Sequence, residues 1–548
     1  MNSINRLAIY LLIICSSKSA APSAITSFEI LKNNTNLVHA TPHIINIIRN
    51  GYSELSNNQI QELPTLGLNL YKNKIISIAP NDLDQYIDTD HFRLHYTMEG
   101  VDAVENINYV IMMSQVYEQV YRFFIDTLDF TPPPIDPNKD YALYDIYIEN
   151  LPTYYFGITY TSNSDIDAPS CASYIRMRNN YTGSQFNEHT ELENIKVTSV
   201  HEFFHAIQFG YNCYERLWFM EATAVWSEDE LFNGINDLYR YLPSWFSNPN
   251  KPINDESNHM YGTFIFFQYI DEHLGGPETI KSCWENSNLL ANPVHDISVQ
   301  AIDQALTLFN SSFEDALIRM RIANRILHAN AGIYSYIESE GYKSVINTVP
   351  EQLLLFQTGT IENINNYSLE LYESFYYNLE TVSPVKINLF ESAGNFVLSS
   401  IVKYKNSDNW TVRSNNTINI DPGLNIEWIS LVVSALDDEE SEWEYTIQLS
   451  DGYSDDFTLY NPYPNPSLGK NISLDLQIID KQQIQTSIIN ILGEQVWTSS
   501  HSFQNSEYIT LTWNGKNQFG QYVSNGIYFV KARGKTKETI HKIILIKK

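Results

Sequence analysis

Val200-His201-Glu202-Phe203-Phe204-His205-Ala206 carries two histidines four residues apart, with a glutamate directly after the first. Apolar neighbours at Val197, Val200, Phe204 and Ile207 predict a buried helix. On a helix, residues four apart sit on one face, so His201 and His205 can offer imidazole nitrogens to a single metal ion. Glu202 projects beside that face, where a carboxylate can take a proton from a metal-activated water. The plain alternative is two satisfied histidines in an ordinary core helix.

Two histidines do not complete a catalytic zinc site, which commonly has three protein ligands and one open position. A third histidine at set spacing after His205 is disfavoured, because Gln208 and Tyr211 stand where a Gly and a His would be needed. Leu217-Trp218-Phe219-Met220-Glu221-Ala222-Thr223-Ala224-Val225-Trp226 offers Glu221 instead. A lone carboxylate in that apolar company needs a partner if buried, and a metal ion would be one. A structural carboxylate is the competing role. Glu228 and Asp229, two turns on, are either solvated or orient His201 or His205. For the oxyanion formed when water adds to a carbonyl, Tyr261 in Asn258-His259-Met260-Tyr261-Gly262 is a candidate donor, with packing the alternative among 37 tyrosines.

Before this region, apolar residues from Val104 to Leu128 recur every three or four positions, predicting one long amphipathic helix ended by Thr131-Pro132-Pro133-Pro134. Ala142, Tyr144, Ile146 and Ile148 alternate as in a half-buried strand, and Tyr154 to Tyr160 and Ser173 to Met177 read similarly. Residues 25–60 predict small helices, a lead-in or pro-segment, and 61–90 an extended linker. After about residue 365 short alternating runs predict a β-sandwich: Val385 to Leu389, Phe396 to Tyr404, Ile429 to Ala435 and Trp443 to Leu449. Asn461-Pro462-Tyr463-Pro464-Asn465-Pro466 reads as a stiff separator before a second β unit, in which Asn514-Gly515 and Asn525-Gly526 are hairpin-turn dipeptides.

Of 548 residues, 43% are apolar and 18% charged, which is globular composition, and the length allows several compact units. The net charge of −30 is uneven: residues 25–456 hold 22 Lys and Arg against 59 Asp and Glu, residues 457–548 hold 10 against 5. An acidic body argues against nucleic acid or anionic membrane as partner. Arg6, the apolar run Leu7 to Cys15 and the small residues up to Ala20 or Ala24 predict a cleaved signal peptide. No later stretch reaches bilayer-spanning length. Export permits disulfides, and of Cys171, Cys213 and Cys283 the preferred pair is Cys171 with Cys213.

The H-E-x-x-H helix with Glu221 on a following helix resembles gluzincins, the zincin peptidases whose third ligand is a glutamate. A closer resemblance is to a family of secreted bacterial metallopeptidases first named from a myxobacterial protein. It rests on His91-Phe92-Arg93-Leu94-His95-Tyr96, the helix from Val104, Tyr144-Asp145-Ile146-Tyr147, Ser173-Tyr174-Ile175, the histidine helix, Trp218 to Asp229 and Tyr261-Gly262. Members often carry an Asp- and Gly-rich insertion suggestive of calcium before that helix. This chain lacks it, which leaves calcium there unsupported. Tyr463-Pro464-Asn465-Pro466, Ile491 to Val496, Trp513-Asn514-Gly515, Gly526 to Phe529 and Lys542 to Lys548 resemble the C-terminal sorting domain of the type IX secretion system.

The expectation is therefore an α+β, zincin-like metallopeptidase domain followed by two Ig-like β-sandwich domains. Its divisions are a signal peptide (1–24), lead-in and linker (25–90), catalytic domain (91–360), β-sandwich (361–455) and sorting domain (456–548). His201, His205 and Glu221 would hold Zn2+, Glu202 would be the general base and Tyr261 an oxyanion donor. The substrate would be extracellular peptide or protein, and the tail would engage the type IX secretion machinery, leaving the protein secreted or at the cell surface. The rival is a non-catalytic surface adhesin on a degenerate peptidase fold.

Overall fold

The computed structural model describes residues 22–33, 39–152, 155–162, 169–292, 295–405, 408–422, 426–436, 443–452, 457–469, 471–478, 482–504, 507–534 and 537–546. Apart from residues 22–24, the expected signal peptide lies outside them. The chain forms two compact units, one reaching to Met320 and including Tyr336–Thr348, the other Arg321–Ser335 with Val349–Lys548.

The first unit is mixed α+β. It opens with helices α1 (Ala24–Asn33), α2 (Thr41–Glu54) and α3 (Asn57–Glu62), then a hairpin of β1 (Leu68–Tyr71) and β2 (Lys74–Ser77). Helices were expected here; the hairpin was not, and residues 61–90 are not merely a linker. Residues 78–84 have no regular structure, and β3 (Gln85–Asp88) then joins a sheet with β4 (Phe92–Tyr96), β5 (Tyr144–Glu149), β6 (Gly157–Thr161) and β7 (Ser173–Arg178). The order is β3-β4-β5-β7-β6, with β4, β5 and β7 parallel and both outer strands antiparallel to their neighbours.

Strand β5 is buried at all six positions rather than half-buried. It is the central strand: Tyr147 faces a core built with the N-terminal helices, and the sheet's other side is covered by helices. With both faces covered, even Asp145 and Glu149 are buried, the first held by His95 and Tyr141 and the second paired with Arg176. Helix α4 (Ile107–Tyr121) is shorter than its apolar period. Asn106 caps it, accepting from the Asn108 N–H at 2.9 Å, while Val104 stays outside with its N–H on Thr97 O. The last stretch, Arg122–Thr127, widens into a π-helical turn.

Helices α5 (Glu191–Tyr211) and α6 (Leu217–Phe232) are consecutive and pack on one another, with α5 also lying against β6 and β7. They are followed by α7 (Leu242–Ser247), α8 (His259–Gly262), α9 (Phe264–His273) and α10 (Pro277–Leu290). Cys171 and Cys213 are joined by a disulfide with Cα atoms 5.9 Å apart, and Cys283 is buried outside it. Non-reducing mass mapping should recover the 171–213 peptide pair, with Cys283 alkylated only after unfolding. Replacing both bridged cysteines by Ser should cost ~4 kcal/mol in denaturant titration, the scale for a loop of this size; a loss under ~1 kcal/mol would mean the bridge constrains little.

In the second unit the strands are β8 (Gln352–Leu355), β9 (Glu362–Leu369), β10 (Ser374–Glu380), β11 (Val385–Ala393), β12 (Asn395–Tyr404), β13 (Trp410–Ser414), β14 (Thr417–Ile420), β15 (Ile426–Leu436) and β16 (Trp443–Asp451). Among the described residues they make two sheets, β13-β12-β15-β10-β8 and β14-β11-β16-β9, sharing one core that includes Tyr377, Leu398 and Val433 from the first and Ile387 and Ile447 from the second.

Then come β17 (Phe457–Leu459), β18 (Ser467–Leu468), β19 (Ile472–Ile478), β20 (Gln482–Asn490), β21 (Gln495–Phe503), β22 (Glu507–Trp513), β23 (Gly526–Arg533) and β24 (Glu538–Ile546). They form sheets β17-β19-β22 and β18-β24-β23-β20-β21 around a core that includes Leu474, Ile488, Trp513, Val530 and Ile543. The Pro-rich run does not stand apart as a separator. Tyr463 exchanges both main-chain hydrogen bonds with Ser473, and Asn465 bonds Lys542 O and the Ile544 N–H. Neither Asn-Gly dipeptide closes a two-residue hairpin, because β22 and β23 belong to different sheets.

Candidate metal centre

Helix α5 starts at a capping box: Thr190 Oγ1 accepts the Glu193 N–H, and Glu193 Oε2 accepts the Thr190 N–H at 2.8 Å. Helix α6 has no cap of its own. Its first N–H, on Leu217, is taken by Glu256 Oε1 at 2.9 Å, a carboxylate at a helix N-terminus supplied from 39 residues away. Both helices are buried on nearly every face, their polar residues His201, Glu202, His205, Gln208, Glu221 and Glu228 included.

Their packing brings His201, His205 and Glu221 together. The two Nε2 atoms are 3.2 Å apart, and Glu221 Oε1 and Oε2 lie 3.1 Å from His205 Nε2 and 3.4 Å from His201 Nε2. Gln208 donates its amide to Met220 O at 2.8 Å and Thr223 Oγ1 at 3.0 Å, so its Oε1 must accept from His205 Nδ1, at 2.8 Å. Glu228 Oε1 accepts from His201 Nδ1 at 2.7 Å. With both Nδ1 atoms donating, each neutral imidazole points its Nε2 lone pair at the other and at the carboxylate. Glu221's oxygens are close to both nitrogens, yet neither makes a well-directed hydrogen bond.

Three converging lone-pair donors with no exposure to water need a shared positive charge. A proton answers part of this. Burial opposes charge on His201, but its contacts with Glu221 and Glu228 prevail and push its pKa up to about 10. Burial likewise opposes the Glu221 carboxylate, but His205 and His201 hold it well below the usual range. A divalent cation answers all of it, and two imidazoles with one carboxylate are a donor set that suits zinc. The residues fit the ion.

Glu202 sits beside this group. Its Oε2 accepts from Thr159 Oγ1 at 2.6 Å and Thr41 Oγ1 at 3.0 Å, while Oε1 is buried with no hydrogen-bond partner. Tyr261 is stacked on Tyr241 at 5.3 Å and is near His39, also at 5.3 Å. Its hydroxyl is buried without a partner, and burial, with Glu221 and Tyr241 adding to it, pushes its pKa well up, so it remains a donor.

His39, Thr41, Thr159, Tyr241 and the role of Gln208 were not expected from the sequence. Only Gln208 left a signal, one helical turn from His205 on the same face. Glu228 orients His201, as one of its two expected roles had it. Asp229 does neither: it is buried, and burial first, then Glu338 and Glu228, push its pKa up to about 8. Because that lies above the unfolded value of 3.8, the folded state holds a proton that the unfolded chain releases. Its contribution to stability is full below pH ~4 and is lost as pH rises through ~8. Asp229→Asn should therefore flatten the fall in denaturation midpoint between pH 5 and 8; equal slopes in variant and parent would refute this.

Residues 102–325 match a family of unknown function, DUF6055, and residues 461–547 match a secretion system C-terminal sorting domain. The protein is secreted or displayed at the cell surface. The first match contains all five expected site residues, and the family carries no stated activity. The tail implies interaction with the secretion machinery, and among the described residues no helix is long and apolar enough to cross a membrane. No curated protein matches the chain. Among solved structures, dimeric latent PorU from Porphyromonas gingivalis is 12% identical, with 34% of this chain and 20% of that one covered at a TM-score of 0.17. A Parabacteroides merdae beta-glucuronidase is 11% identical over 33% and 28%, with a TM-score of 0.16. A putative beta-galactosidase from Bacteroides fragilis is 11% identical over 33% of each chain, with a TM-score of 0.15. The chain spans a fifth to a third of their lengths, and likenesses at these scores carry no argument about fold or chemistry.

Proposed function

We propose that the first unit is a zincin-like, zinc-dependent peptidase of gluzincin type, exported with two Ig-like β modules of which the last is the type IX sorting domain. The observation that carries this is the convergence of His201 Nε2, His205 Nε2 and the Glu221 carboxylate, each imidazole fixed through its Nδ1, with Glu202 alongside. Those three residues would hold zinc. When bound, zinc supplies a Lewis acid that lowers the pKa of water and polarises a carbonyl. Glu202, one oxygen pinned by two threonines, has its other oxygen free to take a proton from the attacking water and return it to the leaving amine. Tyr261 would donate its hydroxyl proton as a hydrogen bond to the oxyanion.

Metal analysis tests the reading first, since it does not depend on substrate reaching the site. The purified chain should retain about one zinc after dialysis, and the metal should be lost from His201→Ala. Hydrolysis of a peptide library should be abolished by a chelator and restored by zinc. A parent protein that binds no zinc would sink the peptidase reading and favour a surface-binding protein instead.

A further inference from the structure

We propose that residues 25–33 and 39–77 form a built-in inhibitor that blocks the metal centre, with His39 and Thr41 as the blocking residues. The inference rests on the peptidase reading above.

The centre is sealed. His201, His205 and Glu221 are 0% exposed and Glu202 is 1% exposed. A peptidase must admit a main chain to these groups, so something covering them must move. His39 lies flat on His201, ring centroids 4.0 Å apart and planes at 20°, and its Nε2 is 2.8 Å from the Tyr241 hydroxyl. Ligating atoms of His39, His201 and Glu202 all fall within 4.8 Å of one another. His39 thus fills the space between the proposed ligand, the proposed base and the tyrosine pair, where a scissile carbonyl would have to enter.

Thr41 closes the adjoining side. Its hydroxyl donates to Glu202 Oε2 and accepts the Thr159 N–H at 2.9 Å. Thr159 is on β6, an outer strand of the five-stranded sheet, so the segment also occupies main-chain groups that an extended peptide could use.

The segment is held to the body by side-chain packing and by hydrogen bonds such as Tyr155 Oη to Leu31 O, Tyr160 Oη to Leu66 O and Arg49 Nη1 to Glu215 O, and by no shared strand pairing among the described residues. Its strands β1 and β2 pair with each other and not with the five-stranded sheet, and the connecting coil 78–84 is mostly exposed. It contributes aliphatic residues and Phe28 to the contact, whereas the body contributes Tyr147, Tyr155, Tyr160 and Tyr174 with Leu151 and Ile158. A face of tyrosines tolerates water better than one of aliphatic side chains once its cover leaves.

The test places a recognition sequence for a sequence-specific protease in coil 78–84 of the full zinc-loaded chain. Intact protein, nicked protein freed of its N-terminal fragment, and intact His39→Ala are compared by the rate at which a chelator strips zinc and by peptide hydrolysis. Both rates should rise at least about tenfold in the nicked and His39→Ala forms, at equal starting zinc, as expected when a mostly closed site is opened. Adding the fragment back should slow both. Unchanged chelator rates after fragment removal would overturn the proposal. So would hydrolysis that falls while zinc is kept, because the segment would then belong to the working site. A chain that binds no zinc in any form refutes the peptidase reading itself, and with it this inference.

Discussion

Glu202→Gln should keep zinc at about one per chain while peptide hydrolysis falls by ~100-fold or more, the range for losing general acid-base help. The substitution preserves size and can still meet Thr159 and, in the intact chain, Thr41, whose hydroxyls rotate to suit an amide oxygen. What it removes is a carboxylate oxygen able to accept a proton. Paired zinc and rate measurements on the intact chain and on the nicked form check this. Loss of zinc together with rate would show Glu202 to be a ligand, and an unchanged rate would remove it from the chemistry.

Glu221→Ala should behave differently, with zinc binding at least ~100-fold weaker and hydrolysis lost in step with the metal. His201→Ala and His205→Ala should resemble it. Without the carboxylate the two Nε2 atoms still face each other, but the only anion among the three converging groups is gone. Competition with a chromophoric chelator measures the affinity. Full zinc and normal turnover in Glu221→Ala would make Glu221 structural.

The candidate centre was legible where its parts lie on one helix or on two consecutive ones. The four-residue step from His201 to His205 and the lone Glu221 in an apolar run signal their positions through helical period and the cost of a buried charge. Glu228 lies on the second of these helices and was narrowed to two roles, whereas Gln208, one turn from His205, carried a signal only in its spacing. His39, Thr41 and Thr159 come from distant segments, and no local pattern marks Thr41 as the partner of a glutamate 161 residues on. The same holds for the fold. Tyr144 to Ile148 read as a strand, but which of its faces would be covered depended on helices elsewhere in the chain. The Asn-Gly dipeptides failed for a related reason: turn chemistry is local, whereas assigning β22 and β23 to different sheets is not.

Parallel pairing of β18 with β24 gives the sorting domain an order of assembly. β18 is the first strand made of its sheet and β24 the last, yet they are neighbours, and Ile543 and Leu545 of β24 are buried in the shared core. Until residues 538–546 have been made, β18 has no partner, β23 keeps a bare edge and the core lacks a wall. A polypeptide stalled or clipped short of that strand therefore carries this domain with β23 bare on one side and Ile543 and Leu545 missing from the core. The last strand made is thus the one that joins the first strand of this sheet to the rest.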